Sequence, residues 1–120
     1  MTGVLVCDDA PDMRALLRDA LDADPALYVV GEAADGAAAL RLAETLQPDV
    51  VLLDIGMPGP GAGTVVTGVR RAAPEAAIVV LSGFGPERLD PQASAEVSAH
   101  LPKTADLAAV RRTLRAAGAQ

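Results

Sequence analysis

Five short runs of consecutive apolar residues punctuate the chain, and between them apolar positions recur every three or four residues. GVLVCD (3–8), LYVVGEA (27–33), DVVLLD (49–54), AIVVLS (77–82) and AHLP (99–102) read as strands. The intervening stretches follow a helical period. Met13, Leu16, Leu17, Ala20 and Leu21 share one face over residues 11–23, as do Ala39, Leu40, Ala43 and Leu46 over 36–46. Val65, Val66 and Val69 mark a helix over 62–72, and Leu107, Val110 and Leu114 one over roughly 104–117. A weaker helix is expected around 86–95. Pro11 suits a first helical turn, Pro48 and Pro74 stop helices, and Gly118 reads as a C-terminal cap.

Strands alternating with helices five times over predict an α/β fold with a parallel sheet covered on both faces. Right-handed crossovers then restrict the topology to a doubly wound five-stranded sheet. Composition sharpens this picture. The 120 residues suffice for one domain, and 51% are apolar, but 25 are alanine and the aromatics are one Phe and one Tyr. The core is therefore expected from Val, Leu and Ile, with alanine-rich helices lying close against the sheet. A net charge of −6 argues against direct nucleic-acid binding by this domain and suits a bound cation. Cys7 is the only cysteine, which excludes an internal disulfide and points to a reducing, cytoplasmic setting. No basic leader precedes an apolar run and no stretch reaches membrane-spanning length, so no membrane partner is expected.

In open parallel sheets ligands bind beyond the carboxyl ends of the strands. Those ends carry Asp8 and Asp9, Asp54, Ser82 and, near the last strand, Lys103. Singly, each has an ordinary explanation as a helix cap, a turn residue or a solvated lysine. Together, they converge on one edge of the sheet. Three carboxylates in one place repel one another unless a cation sits among them, and hard oxygen ligands of this kind suit Mg²⁺. A lysine and a hydroxyl facing them suit the oxygens of a phosphoryl group, and an aspartate can itself be the nucleophile.

Asp8-Asp9 after VLVC, DIGMPG at 54–59, Ser82-Gly83 after IVVL and Lys103 in LPKT make the whole chain resemble the receiver domain of two-component response regulators. The pattern is closest to receivers that precede helix-turn-helix output domains. The resemblance implies a flavodoxin-like strand order 2-1-3-4-5. It implies that Asp54 accepts a phosphoryl group from a phosphohistidine on a sensor histidine kinase. Asp9, Asp54 and the backbone carbonyl of Gly56 would ligate Mg²⁺, Asp8 would hold a metal-bound water, and Ser82 and Lys103 would bind the phosphoryl oxygens. The domain would then be a phosphorylation-dependent switch and not a conventional enzyme, catalysing only its own Mg²⁺-dependent phosphorylation and dephosphorylation. It would signal to an output domain or a downstream protein. Residues 1–120 are expected to be a single receiver domain, with any output domain outside this sequence.

Several positions depart from the family pattern. Thr104 follows Lys103 where the family usually has proline in a cis peptide, and a cis bond before threonine would cost about 3 kcal/mol. His100 stands where the family has a switch Tyr or Phe. It reads as a partly exposed strand histidine; the sharper alternative is that it swings inward on phosphorylation. Pro91 falls inside the expected fourth helix, where an interior proline costs roughly 3 kcal/mol, so that helix is expected to be short, displaced or broken. In the family the fourth helix, fifth strand and fifth helix form the output and dimer surface, which keeps a homodimer among the expected arrangements. Ala62 replaces a common glycine, which would delay the third helix, and Gly56 and Phe84 flank the phosphoryl position.

Three other readings compete. A degenerate receiver serving only as a protein-binding module is opposed by the retention of all five polar positions. A small-molecule phosphohydrolase commonly carries a second Asp two residues after the nucleophile, where this chain has Gly56. A dinucleotide fold would need G-x-G-x-x-G, and Thr64 and Arg88 occupy the last positions of the two glycine clusters.

Overall fold

The computed structural model describes residues 1–83 and 89–119. Phe84, Arg88 and the opening of the helix expected around 86–95 lie outside them. The elements run β1 (Thr2–Cys7), α1 (Pro11–Asp22), β2 (Leu27–Ala33), α2 (Gly36–Leu46), β3 (Val50–Asp54), α3 (Ala62–Ala72), β4 (Ala77–Ser82), α4 (Pro91–Ala95), β5 (Ala99–Pro102) and α5 (Leu107–Gly118). All strand pairs are parallel and their order is 2-1-3-4-5, as the resemblance implied.

Parallel strands covered on both sides must be apolar at every position, and β3 is buried from Val50 through Asp54. The pleat divides these residues between two cores. Leu5, Cys7, Val51, Leu53, Ile78 and Val80 pack against α2, α3 and α4. Val4, Val6, Val50, Leu52, Val79 and Leu81 pack against α1 and α5. Alanine makes the close approach workable: Ala39 and Ala43 of α2 are fully buried against the sheet. One irregularity had no sequence signal. Val4 pairs with Val29 but Leu5 with Gly31, so β2 carries an extra residue at Val30.

The boundaries differ from expectation where a cap or a close contact outweighs periodicity. α4 has five residues and starts at Pro91, with the Asp90 carboxylate accepting the Ala93 N–H at 2.8 Å. The helix is thus short, as expected, with Pro91 as its first residue, where the missing N–H costs nothing, rather than in its interior. Arg70 secures the far end of α4 through Glu96 Oε2 at 2.9 Å. α5 begins at Leu107 rather than near 104, because Asp106 caps it by accepting the Ala109 N–H at 2.7 Å. α3 begins at Ala62, without the delay that Gly63 suggested.

Gly118 is not the cap: it is the last residue of α5, and Ala119 is the C-cap. A Cβ at Gly118 would collide with the Thr2 side chain, lying 2.7 Å from Oγ1 and 3.1 Å from Cβ. A β-branched Thr2 in the first strand has little room to turn away. Gly118→Ala is expected to lower stability by on the order of 1 kcal/mol, measured by urea denaturation.

Candidate phosphoryl and metal site

The carboxyl edge of the sheet brings the expected residues together. Asp8 follows β1 directly and is fully buried, Asp54 ends β3 at 3% exposure, and Ser82 ends β4 at 5%. Asp9 is exposed. Carboxylate oxygens of Asp8, Asp9 and Asp54 lie within 4.8 Å of one another. Lys103, just past β5, reaches in from the other side, with Nζ 2.9 Å from Asp54 Oδ2 and 3.6 Å from Asp8 Oδ2. Its own N–H donates to the Ser82 carbonyl at 3.0 Å, which ties the lysine loop to the end of β4.

Asp54 and Asp8 are each held by the backbone two residues further on. The Gly56 N–H donates to Asp54 Oδ1 at 2.8 Å, and the Ala10 N–H to Asp8 Oδ1 at 2.9 Å. These are the tight turns that Asp favours at a strand end. Asp8 Oδ2 is buried with no hydrogen-bond partner among the described residues. A buried oxygen of this kind is costly unless a cation or donor meets it. The donor set is oxygen alone, so the residues fit a hard divalent cation such as Mg²⁺. In the loop after Asp54, only Gly59 among the described glycines needs a left-handed backbone, with φ 108°.

The electrostatics follow from burial. Desolvation pushes Asp54 above the usual carboxylate range. The Gly56 N–H and Lys103 pull it down, and the charge of Asp8 pushes it up again. Lys103 is lowered by its own partial burial, but the hydrogen bond to Asp54 and the charges of Asp54 and Asp8 leave it raised. Both shifts are coherent: Asp54 is nearly enclosed, whereas Lys103 keeps a third of its side chain in water and faces two carboxylates. Burial, with Asp8 next to it, pushes the Cys7 thiol up to about 12, so it stays protonated and unreactive.

The departures resolve unequally. Every peptide bond among the described residues is trans, Lys103–Thr104 included. His100 pairs with Val80 and is half-buried, and its Nδ1 is buried with no partner among the described residues. Sequence reasoning did not single out Arg14 or Glu32. Arg14 donates to the Asp8 carbonyl at 2.7 Å and pairs with Glu32 at 3.4 Å. Their one sequence signal is a carboxylate near the end of the second strand opposite arginines on the first helix.

An open parallel sheet with a pocket of carboxylates and a lysine at its carboxyl edge defines the class: a flavodoxin-like doubly wound domain suited to binding a cation and an anion together. Within that class the chain belongs to the response regulator receiver domain family, whose pattern matches residues 4–115. It is similar to the transcriptional regulatory protein LiaR of Bacillus subtilis (strain 168), with 35% identity over 118 residues, covering 98% of this chain and 56% of LiaR. The chain thus spans little more than half the length of that curated relative. Among solved structures, the signal receiver domain of the response regulator NarL from Mycobacterium tuberculosis is 31% identical with a TM-score of 0.83, covering 99% of this chain and 98% of that one. The response regulator domain of Thermotoga maritima CheB has a TM-score of 0.87 at 26% identity, covering 100% and 98%. Among the described residues no helix is long and apolar enough to cross a membrane.

Proposed function

We propose that this receiver domain is a switch driven by phosphorylation of Asp54. A carboxylate oxygen of Asp54 forms a bond to phosphorus as the phosphorus–nitrogen bond of a kinase phosphohistidine breaks, and the imidazole leaves with the electron pair. Asp9, Asp54 and the Gly56 carbonyl would hold Mg²⁺, with Asp8 beside them; the metal supplies charge neutralisation for the phosphoryl oxygens. Lys103 lies on the carboxylate that becomes the acyl phosphate and passes to a phosphoryl oxygen as the carboxylate charge is lost. The Ser82 hydroxyl donates to another phosphoryl oxygen. The new charge then biases the packing of α4, β5 and α5, the surface read by an output domain or a second copy of the chain. The likeness to LiaR supports a transcriptional output, made by a partner or domain other than this acidic one, within a cytoplasmic pathway.

The observation that carries this reading is a nearly enclosed Asp54 held 2.9 Å from Lys103 and clustered with two further carboxylates. Intact mass after incubation with acetyl phosphate tests it. The wild type is expected to gain one phosphoryl group only with Mg²⁺, and Asp54→Asn none. Absence of an adduct in the wild type, together with no response to a beryllium fluoride mimic, would favour a phosphorylation-independent binding module instead.

A further inference from the structure

Asp8 is held at three of its four polar atoms. Its N–H donates to the Ala33 carbonyl at 3.0 Å, its Oδ1 accepts from Ala10, and its carbonyl accepts from Arg14 at 2.7 Å. Among the described residues only Oδ2 is left for the pocket, where Lys103 Nζ lies 3.6 Å away. The carbonyl that Arg14 grips belongs to the peptide between Asp8 and Asp9, so its orientation sets the plane of that peptide and the position of the next carboxylate. Arg14 is itself fixed. Its side chain is 20% exposed, and Glu32 near the end of β2 faces it at 3.4 Å while taking Arg18 at 2.6 Å. A planar guanidinium can meet a carboxylate and a carbonyl at once from a single position.

We infer that Arg14, anchored by Glu32, is a positioning residue for the acidic pocket: by fixing the Asp8–Asp9 peptide it sets the affinity for a divalent cation. This rests on the reading of the pocket as a cation site. Charge and geometry make opposite demands here, which exposes the effect. A guanidinium on the Asp8 carbonyl adds positive charge next to the pocket and repels a cation, so on charge alone its removal tightens binding. If it positions the carboxylates, its removal weakens binding.

Mn²⁺ binding to the full chain, followed by the electron paramagnetic resonance of the free ion, decides between them. Asp9→Asn is expected to weaken binding strongly. Arg14→Ala and Arg14→Gln are expected to raise Kd roughly ten-fold, the scale seen when a group orienting a metal ligand is removed. Arg18→Ala, which disturbs Glu32 but touches no pocket residue, is expected to stay near the wild type. Metal-free melting curves establish that each variant is folded, and the milder Arg14→Gln carries the test if Arg14→Ala is not. Arg14 variants that bind as tightly as the wild type or tighter, with Asp9→Asn still weakened, would overturn this inference alone. A wild type that binds no Mn²⁺, or an Asp9→Asn variant that binds normally, would overturn the cation site and the inference with it.

Discussion

Lys103→Met is expected to melt roughly 10 °C below the wild type in metal-free buffer at neutral pH. Among the described residues Lys103 is the cation within 4 Å of both buried carboxylates, at 2.9 Å from Asp54 and 3.6 Å from Asp8. Methionine replaces much of its stem but leaves two negative charges facing each other in a site that excludes most water. Removing one partner of a fully buried ion pair costs about 3–5 kcal/mol. The lysine keeps 33% of its side chain exposed, and solvent screening reduces the expected loss to roughly 2–3 kcal/mol. For a domain of this size each kcal/mol is worth about 4 °C. Differential scanning calorimetry from pH 4 to pH 7.5 checks the cause. The deficit should shrink in acid, where Asp54 takes up its proton, and a deficit that does not vary with pH would mean that packing and not charge is lost.

Asp54→Asn is expected to move stability the other way. Burial raises Asp54 above the ordinary carboxylate value of 3.8, so the folded state prefers the protonated acid. For a group raised in this way, the stabilisation is present below the unfolded value and is lost as pH rises through the folded one. At neutral pH the ionised Asp54 is therefore a net cost. Asparagine carries no charge and can still accept the Gly56 N–H, while Lys103 retains Asp8. The variant should gain on the order of 1 kcal/mol at pH 7 without metal, about 4 °C, and the gain should vanish toward pH 4. Mg²⁺ should raise the melting temperature of the wild type more than that of Asp54→Asn, since a ligand stabilises only the state that binds it. Combined with Lys103→Met, Asp54→Asn should remove most of the lysine's contribution, because the two residues act on one interaction. Additive effects would disconnect them.

Much of this architecture is legible in local pattern. β2, α2, α3, β4 and β5 have the limits their periodicity predicted, because each alternates a buried stripe with a clear stop such as Pro48 or Pro74. The pocket is equally legible. Asp8, Asp9, Asp54, Ser82 and Lys103 sit at the ends of parallel strands, and parallel strands have their carboxyl ends on one edge. Strand order required resemblance as well, since periodicity does not say which strands are neighbours. The differences lie where a specific contact, and not periodicity, sets the end of an element. Gly118 looked like a cap and is instead the space that Thr2 occupies, 116 positions earlier in the chain. Pro91 does go with a short fourth helix, but as its first residue and not in its interior, because the Asp90 carboxylate supplies the cap.

Composition and order alone specify a doubly wound sheet, the carboxylates and lysine of its carboxyl edge, and a core without large aromatics, because each follows from local periodicity or from strand polarity. Folding in three dimensions decides what surrounds those groups. It encloses Asp54 enough to raise its pKa, leaves Asp8 Oδ2 without a hydrogen bond among the described residues, and brings Arg14, paired with Glu32 of another element, to the Asp8 carbonyl. Desolvation and hydrogen bonding depend on atoms far apart in the chain, and their distances exist only once the sheet has formed.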